Sequence, residues 1–182
     1  MNGFRAAGLN NLEKWSMINQ TLNKHKIAIL AIQETHLDQE RVDNLLRSYG
    51  KKMDIRFSAD PEAPHTTAGV AFVISKSLIA PRKITTHEII EGRALNIKVE
   101  WLDDETTSLM NIYAPNRRAA HEGFWQSIEE TRRDQGVPTP DFLLGDFNVT
   151  EDLIDRLPTR LDDPNAIEAL RNTRHAWRIS DT

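Results

Sequence analysis

The chain contains no cysteine, which excludes disulfide staples and thiolate metal sites alike. No apolar run approaches the roughly 20 residues that a membrane helix needs, and the first residues lack the apolar core of a signal peptide. No internal repeat or low-complexity tract stands out. An excess of positive charge is also missing. Against 27 acidic residues stand 23 Lys and Arg, a formal charge of −4, which argues against a protein that coats nucleic acid by charge alone. One local basic edge remains compatible with that balance. What is left is a chain of 182 residues, 39% hydrophobic and 27% charged, the size and balance of one globular domain.

The most informative stretch is Asp141-Phe142-Leu143-Leu144-Gly145-Asp146-Phe147-Asn148. The apolar run between Pro140 and Gly145 predicts a short buried strand, with Gly145 turning the chain at its end. Asp146 and Asn148 lie two positions apart, so extended geometry would point both side chains the same way. The carboxylate can bind a hard cation or orient a proton-carrying group, and the amide can donate to a developing oxyanion. Together they suit metal-assisted attack on a phosphate. The same two residue types also make ordinary turns after strands.

Earlier in the chain, Leu9, Leu12, Trp15, Ile18 and Leu22 recur at helical spacing, closed by Lys24-His25-Lys26. The continuous apolar run over 27–33 predicts a central strand that delivers Gln33-Glu34-Thr35-His36 to its carboxyl end. Glu34 there is a candidate metal ligand, or a surface Glu opening the next helix. His36 reads better as a loop histidine than as a ligand. A helix follows over 38–49, ended by Gly50, and then a short strand around Phe57. Residues 68–74 predict a buried strand, and alternation over 84–90 and 94–101 predicts two more joined at Glu91-Gly92. Asp103-Asp104-Glu105 reads as a solvated hairpin tip leading into a strand over 107–113. That strand ends in Asn111-Ile112-Tyr113-Ala114-Pro115-Asn116, where a phenol and an amide could meet a phosphate. Arg117 and Arg118 add local positive charge. Helices over 118–133 and 165–175 complete the pattern. Buried strands with helices between strand groups indicate a layered α/β architecture of two packed sheets with helices outside.

Three motifs, Ile32-Gln33-Glu34-Thr35, Asn111-Ile112-Tyr113-Ala114-Pro115-Asn116 and Gly145-Asp146-Phe147-Asn148, resemble in identity and order those of the endonuclease/exonuclease/phosphatase superfamily, the DNase-I-like fold. Ala68-Gly69-Val70-Ala71 resembles its buried strand between the first two. The likeness covers nearly the whole chain and is greatest to the endonuclease domain of non-LTR retrotransposons, particularly over 145–158. It implies a four-layered α/β sandwich of two packed mixed sheets flanked by helices, cleaving phosphate esters with Mg²⁺ or Mn²⁺. By the resemblance Glu34 binds the metal, and Tyr113 and Asn116 contact phosphate. Asp146 orients the nucleophile or leaving group, and Asn148 steadies the transition-state charge. Asn2 corresponds to the polar residue closing the family's first strand. Arg117 joins the substrate contacts. DNA is the implied partner, with no membrane, and a nuclear setting if the domain serves a retrotransposon.

Two departures shape the expectation. The family's first strand would precede Asn2, and Ser180-Asp181-Thr182 is not the family's terminal Ser-Asp-His motif. The chain thus reads as an incomplete domain truncated at both ends, impaired by the absence of the general-base His; losing such a base costs ~10²–10⁴-fold in rate. The alternatives are a non-catalytic remnant, or a member of the superfamily with a non-DNA substrate. Glu34 and Asp146 are expected to converge in one cleft with Asn116 and Asn148.

Overall fold

A computed structural model describes residues 11–101, 105–149 and 163–180. Among them lie helices α1 (Asn11–His25), α2 (Gln39–Tyr49), α3 (His121–Asp134) and α4 (Pro164–Trp177). The strands are β1 (Ile29–Gln33), β2 (Met53–Ser58), β3 (Val70–Ser75), β4 (Ile84–Ile90), β5 (Ala94–Glu100), β6 (Thr106–Tyr113) and β7 (Phe142–Asp146). One sheet runs β1-β3-β2, antiparallel throughout, and the other runs β4-β5-β6-β7 with a parallel β6–β7 pair. The parallel pair needs a crossover, which α3 supplies.

The period of two along each strand sorts side chains into layers. Ala71 and Val73 of β3 face a cluster with Trp15, Ile18 and Leu22 of α1 and Val42 and Leu45 of α2. Their neighbours Val70, Phe72 and Ile74 point the other way, into a middle layer with Leu95, Ile97 and Val99 of β5. Met110 and Ile112 of β6 face Phe124, Trp125 and Ile128 of α3 and Leu170 and Trp177 of α4. The order is helix, sheet, sheet, helix: an α/β sandwich. Both faces of β3 are covered, which is why its sequence is apolar without alternation. Each such buried side chain stabilises by about 1.5–3 kcal/mol, so these three layers, more than helix propensity, hold the helices in place.

Caps fix where the helices begin and end. Asp38 accepts from the Arg41 backbone N–H at 2.7 Å to open α2. Asp163 caps α4 ahead of Pro164, and Arg178 closes it in the left-handed region. The helix expected from 118 begins with a 3-10 turn, Arg118–Ala120, before α3 starts at His121.

The strand expected to be buried at 142–144 is a different object. In β7, Phe142 is 51% exposed and Leu144 36%. Among the described residues β7 pairs only with β6 and forms the edge of its sheet, so its apolar run lacks the cover that β3 has. Nor does the strand stop at Gly145: it continues to Asp146. Gly145 is needed for another reason. Its φ is +140°, and a Cβ there would stand 1.9 Å from the Ile112 carbonyl oxygen, so only glycine lets β6 and β7 pair this closely.

Candidate active site

The candidate side chains Glu34, Tyr113 and Asp146 stand where strands end. β1 leaves its sheet at Gln33, and Glu34 follows in the left-handed region with φ 53°. β6 ends at Tyr113, opposite Asp146 of β7 in parallel register. The Tyr113 hydroxyl donates to Glu34 Oε1 at 2.6 Å, joining the two sheets at their common end. Burial first, and then the Glu34 carboxylate it bonds, hold the Tyr113 phenol above its ordinary pKa of 10.0. The charge of Asp146 pushes the same way, while a hydrogen bond with Asn116 opposes it. Three residues singled out in the sequence, Glu34, Asn116 and Asp146, therefore act on the phenol of a fourth, Tyr113.

The turn around Glu34 is pinned. The Thr35 backbone N–H donates to the Gly69 carbonyl at 3.1 Å, and the Gly69 N–H to that of Gly92 at 2.9 Å. Glu34, His36, Ala68 and Asn148 all have positive φ without being glycine. Each such position costs roughly 1–3 kcal/mol and persists where surrounding bonds over-determine it, as is common in functional sites. His36 enters as backbone too: its carbonyl accepts from Arg41 Nη1 at 2.6 Å. Beside Glu34 lies a cleft of about 280 Å³, bounded by Trp15, Glu34, Thr35, His36, Arg41 and His65 among others.

Asn148 departs from the extended geometry its spacing suggests. Its φ is 51°, its backbone N–H donates to Asp146 Oδ1 at 3.0 Å, and its side-chain Nδ2 donates to the Ala114 carbonyl at 2.7 Å. The local Asx-type bond to Asp146 wins over extension because Asn tolerates the left-handed region. One carboxylate oxygen of Asp146 is thereby held by its own turn. Asn116 and Arg117 are exposed just beyond Pro115. Asn2 lies outside the described residues.

Two contributors were not legible beforehand. Arg93 lies over the Tyr113 ring, its guanidinium carbon 5.5 Å from the centroid, and donates Nη1 to the Tyr113 carbonyl at 3.3 Å. Asn111 is fully buried, its Nδ2 donating to the Ile32 and Ala71 carbonyls at 3.0 Å each and its Oδ1 accepting from Gln33 Nε2 at 2.6 Å. A polar residue set between the apolar Met110 and Ile112 was the available signal for Asn111; nothing in the pattern marked Arg93.

A cation could be held here by oxygen. Among the described residues no group of three or more His, Cys, Asp or Glu converges on one point. Mg²⁺ does not need such a group, since it accepts one or two carboxylates acting with water and substrate phosphate oxygens. Glu34 and Asp146, bearing on one phenol from two sheets, supply hard oxygens of that kind.

Comparisons with known proteins point one way. The sequence model of the Endonuclease/Exonuclease/phosphatase family matches residues 7–179. A Xenopus laevis protein, the "Transposon TX1 uncharacterized 149 kDa protein", is 29% identical over 103 residues, 56% of this chain and 8% of that protein. The endonuclease domain of TRAS1, a telomere-specific non-LTR retrotransposon, superposes with a TM-score of 0.56 at 13% identity, covering 91% of this chain and 64% of that domain. An endonuclease/exonuclease/phosphatase family protein from Bacteroides thetaiotaomicron gives 0.52 at 12% identity, covering 76% and 56%. At those identities the two structures speak for the fold. The chain spans less than two thirds of the length of each of these three relatives.

Proposed function

Since this chain belongs to the endonuclease/exonuclease/phosphatase family, whose model matches residues 7–179, we propose that it is a divalent-metal-dependent phosphodiester hydrolase acting on DNA. The observation that carries this reading is the Tyr113–Glu34 bond at 2.6 Å, made at the end of β6 where Asp146 also bears on the phenol. Two carboxylates and a phenol gathered from three strand ends are expensive to assemble by chance, and the left-handed turn at Glu34 adds backbone strain to that cost.

In this reading Glu34 holds Mg²⁺ or Mn²⁺, which would neutralise charge developing on the phosphate. Asp146 orients the attacking water or the leaving group with the carboxylate oxygen its turn does not use. Asn148 spends one amide proton on Ala114 and has a second to donate to the transition-state charge. Tyr113 and Asn116 contact phosphate, and Arg117 neutralises a flanking one. Asn2 completes the substrate contacts. DNA is favoured over other phosphate esters by the likeness to a transposon protein and to a retrotransposon endonuclease domain, and a nuclear setting goes with it.

The test is a panel of supercoiled plasmid, RNA and phospholipid incubated with the protein and Mg²⁺. The expected result is plasmid nicking that needs the metal, is slow because no Ser-Asp-His motif supplies a general base, and is lost in Asp146→Ala. Cleavage of RNA or lipid instead would change the substrate and keep the chemistry. Nicking that survives Asp146→Ala would point to a contaminating nuclease and overturn the assignment, and no hydrolysis at all would leave a binding remnant.

A further inference from the structure

We propose that Gln33 and Asn111 are positioning residues that fix the Glu34 carboxylate for metal binding, an inference that rests on the function proposed above. Asn111 is fully buried and pairs with Leu95 in the β5–β6 ladder, where Leu95, Ile97 and Phe72 belong to the apolar layer between the sheets. A buried amide there is costly unless every polar atom is paired, and a β-branched residue would fill a strand site more cheaply. Asn111 is paired throughout. It donates to carbonyls on two strands of the opposite sheet, Ile32 of β1 and Ala71 of β3, and accepts from Gln33 Nε2 at 2.6 Å. This amide clamp joins three strands of two sheets.

Its place in the chain says what the clamp holds. Residues 111 and 113 lie on one face of β6, so the Asn111–Gln33 bond is one pleat repeat from the Tyr113–Glu34 bond. Gln33, only 3% exposed, is the residue immediately before Glu34. On the other side, the Thr35 N–H is bonded to Gly69. Glu34 therefore has a fixed residue on each flank, and between them it takes the left-handed conformation with φ 53°. With the Gln33 side chain released, the turn keeps its ladder pairing with Val70 and the Tyr113 bond but loses the amide contact to β6 beside it, and the carboxylate shifts from its position.

The experiment measures Mg²⁺ affinity by calorimetric titration without DNA, in the full chain and in Gln33→Met, which keeps the length of the side chain and removes the amide. The expected result is about tenfold weaker Mg²⁺ binding, the scale on which supporting partners of metal ligands act. Gln33→Asn, whose amide is too short to reach Asn111, gives the same reading should Gln33→Met fail to fold. As a control, Ser108→Ala removes a buried bond to Asn96 near the far end of β6, and it should lower melting temperature without changing Mg²⁺ affinity. Equal affinity in the parent and both Gln33 variants would overturn the positioning role and leave a structural clamp. No Mg²⁺ binding by the parent would instead overturn the functional reading beneath it.

Discussion

Tyr113 and Glu34 lie 79 residues apart in sequence, yet the phenol donates to the carboxylate at 2.6 Å and ties one sheet to the other. The contact has a pH signature. Burial and Glu34 raise the phenol's pKa above 10.0 in the folded chain, so the native state holds that proton more tightly than the unfolded one. The stabilisation is complete below pH 10 and is lost as pH rises through the folded value. Glu34→Gln should move the Tyr113 titration down toward its ordinary value, though not fully, because burial remains. With only two tyrosines in the chain, absorbance titration against a Tyr49→Phe background checks this directly. A curve unmoved by Glu34→Gln would deny the contact.

Gly145 tests the close approach of β6 and β7. Gly145→Ala places a methyl 1.9 Å from the Ile112 carbonyl oxygen at φ +140°. Strain and overpacking together should cost roughly 3–5 kcal/mol, read as a fall in denaturation midpoint. A loss within experimental error would mean that the pairing of Ile112 with Gly145 is not as described.

Much of the layered fold was legible because its signal is local. The runs at β3, β4 and β5 and the helix end at Gly50 report burial and chain reversal in a few neighbouring residues. β7 was misjudged for a physical reason: an apolar run says that a strand is sticky, not that it is covered, and Phe142 and Leu144 stand at an edge. The candidate side chains that meet, Glu34, Tyr113 and Asp146, were legible at strand ends, where polar residues follow apolar runs. Side chains that act across sheets were not, since the partners of Asn111 are 40 to 79 residues away and Arg93 meets Tyr113 only through the β4–β5 turn. Asn148 shows the limit of periodicity, because its left-handed backbone breaks the alternation on which the spacing argument relied.

The exposed edge carries its own consequence. Among the described residues β7 presents Phe142 and Leu144 at a sheet edge whose outer side is unpaired, a template for association. The double variant Phe142→Lys and Leu144→Lys should reduce concentration-dependent light scattering while changing stability by no more than ~0.5 kcal/mol per site. Scattering unchanged by the double variant would place the sticky surface elsewhere.

Glu129 locks α3 to α4. Its carboxylate accepts from Arg132, Arg133 and the Trp177 indole N–H. Burial opposes ionisation, but Arg132, Trp177 and Arg133 together hold its pKa below the ordinary 4.5. The contribution is present above that value and lost as pH falls through the depressed one. Glu129→Gln should destabilise by about 1–2 kcal/mol at neutral pH, and the difference from the parent should shrink in acid. Thermal melts across that range decide it.

The claim on which the account turns is that Glu34, Tyr113 and Asp146 belong to one divalent-cation site. Titration with paramagnetic Mn²⁺ tests it most directly, by which backbone amide resonances broaden first. The amides of Glu34, Tyr113 and Asp146 should broaden together at the lowest Mn²⁺, and Glu34→Gln should abolish the effect at all three. Broadening that begins elsewhere, or that persists around Asp146 when Glu34 is changed, would contradict it.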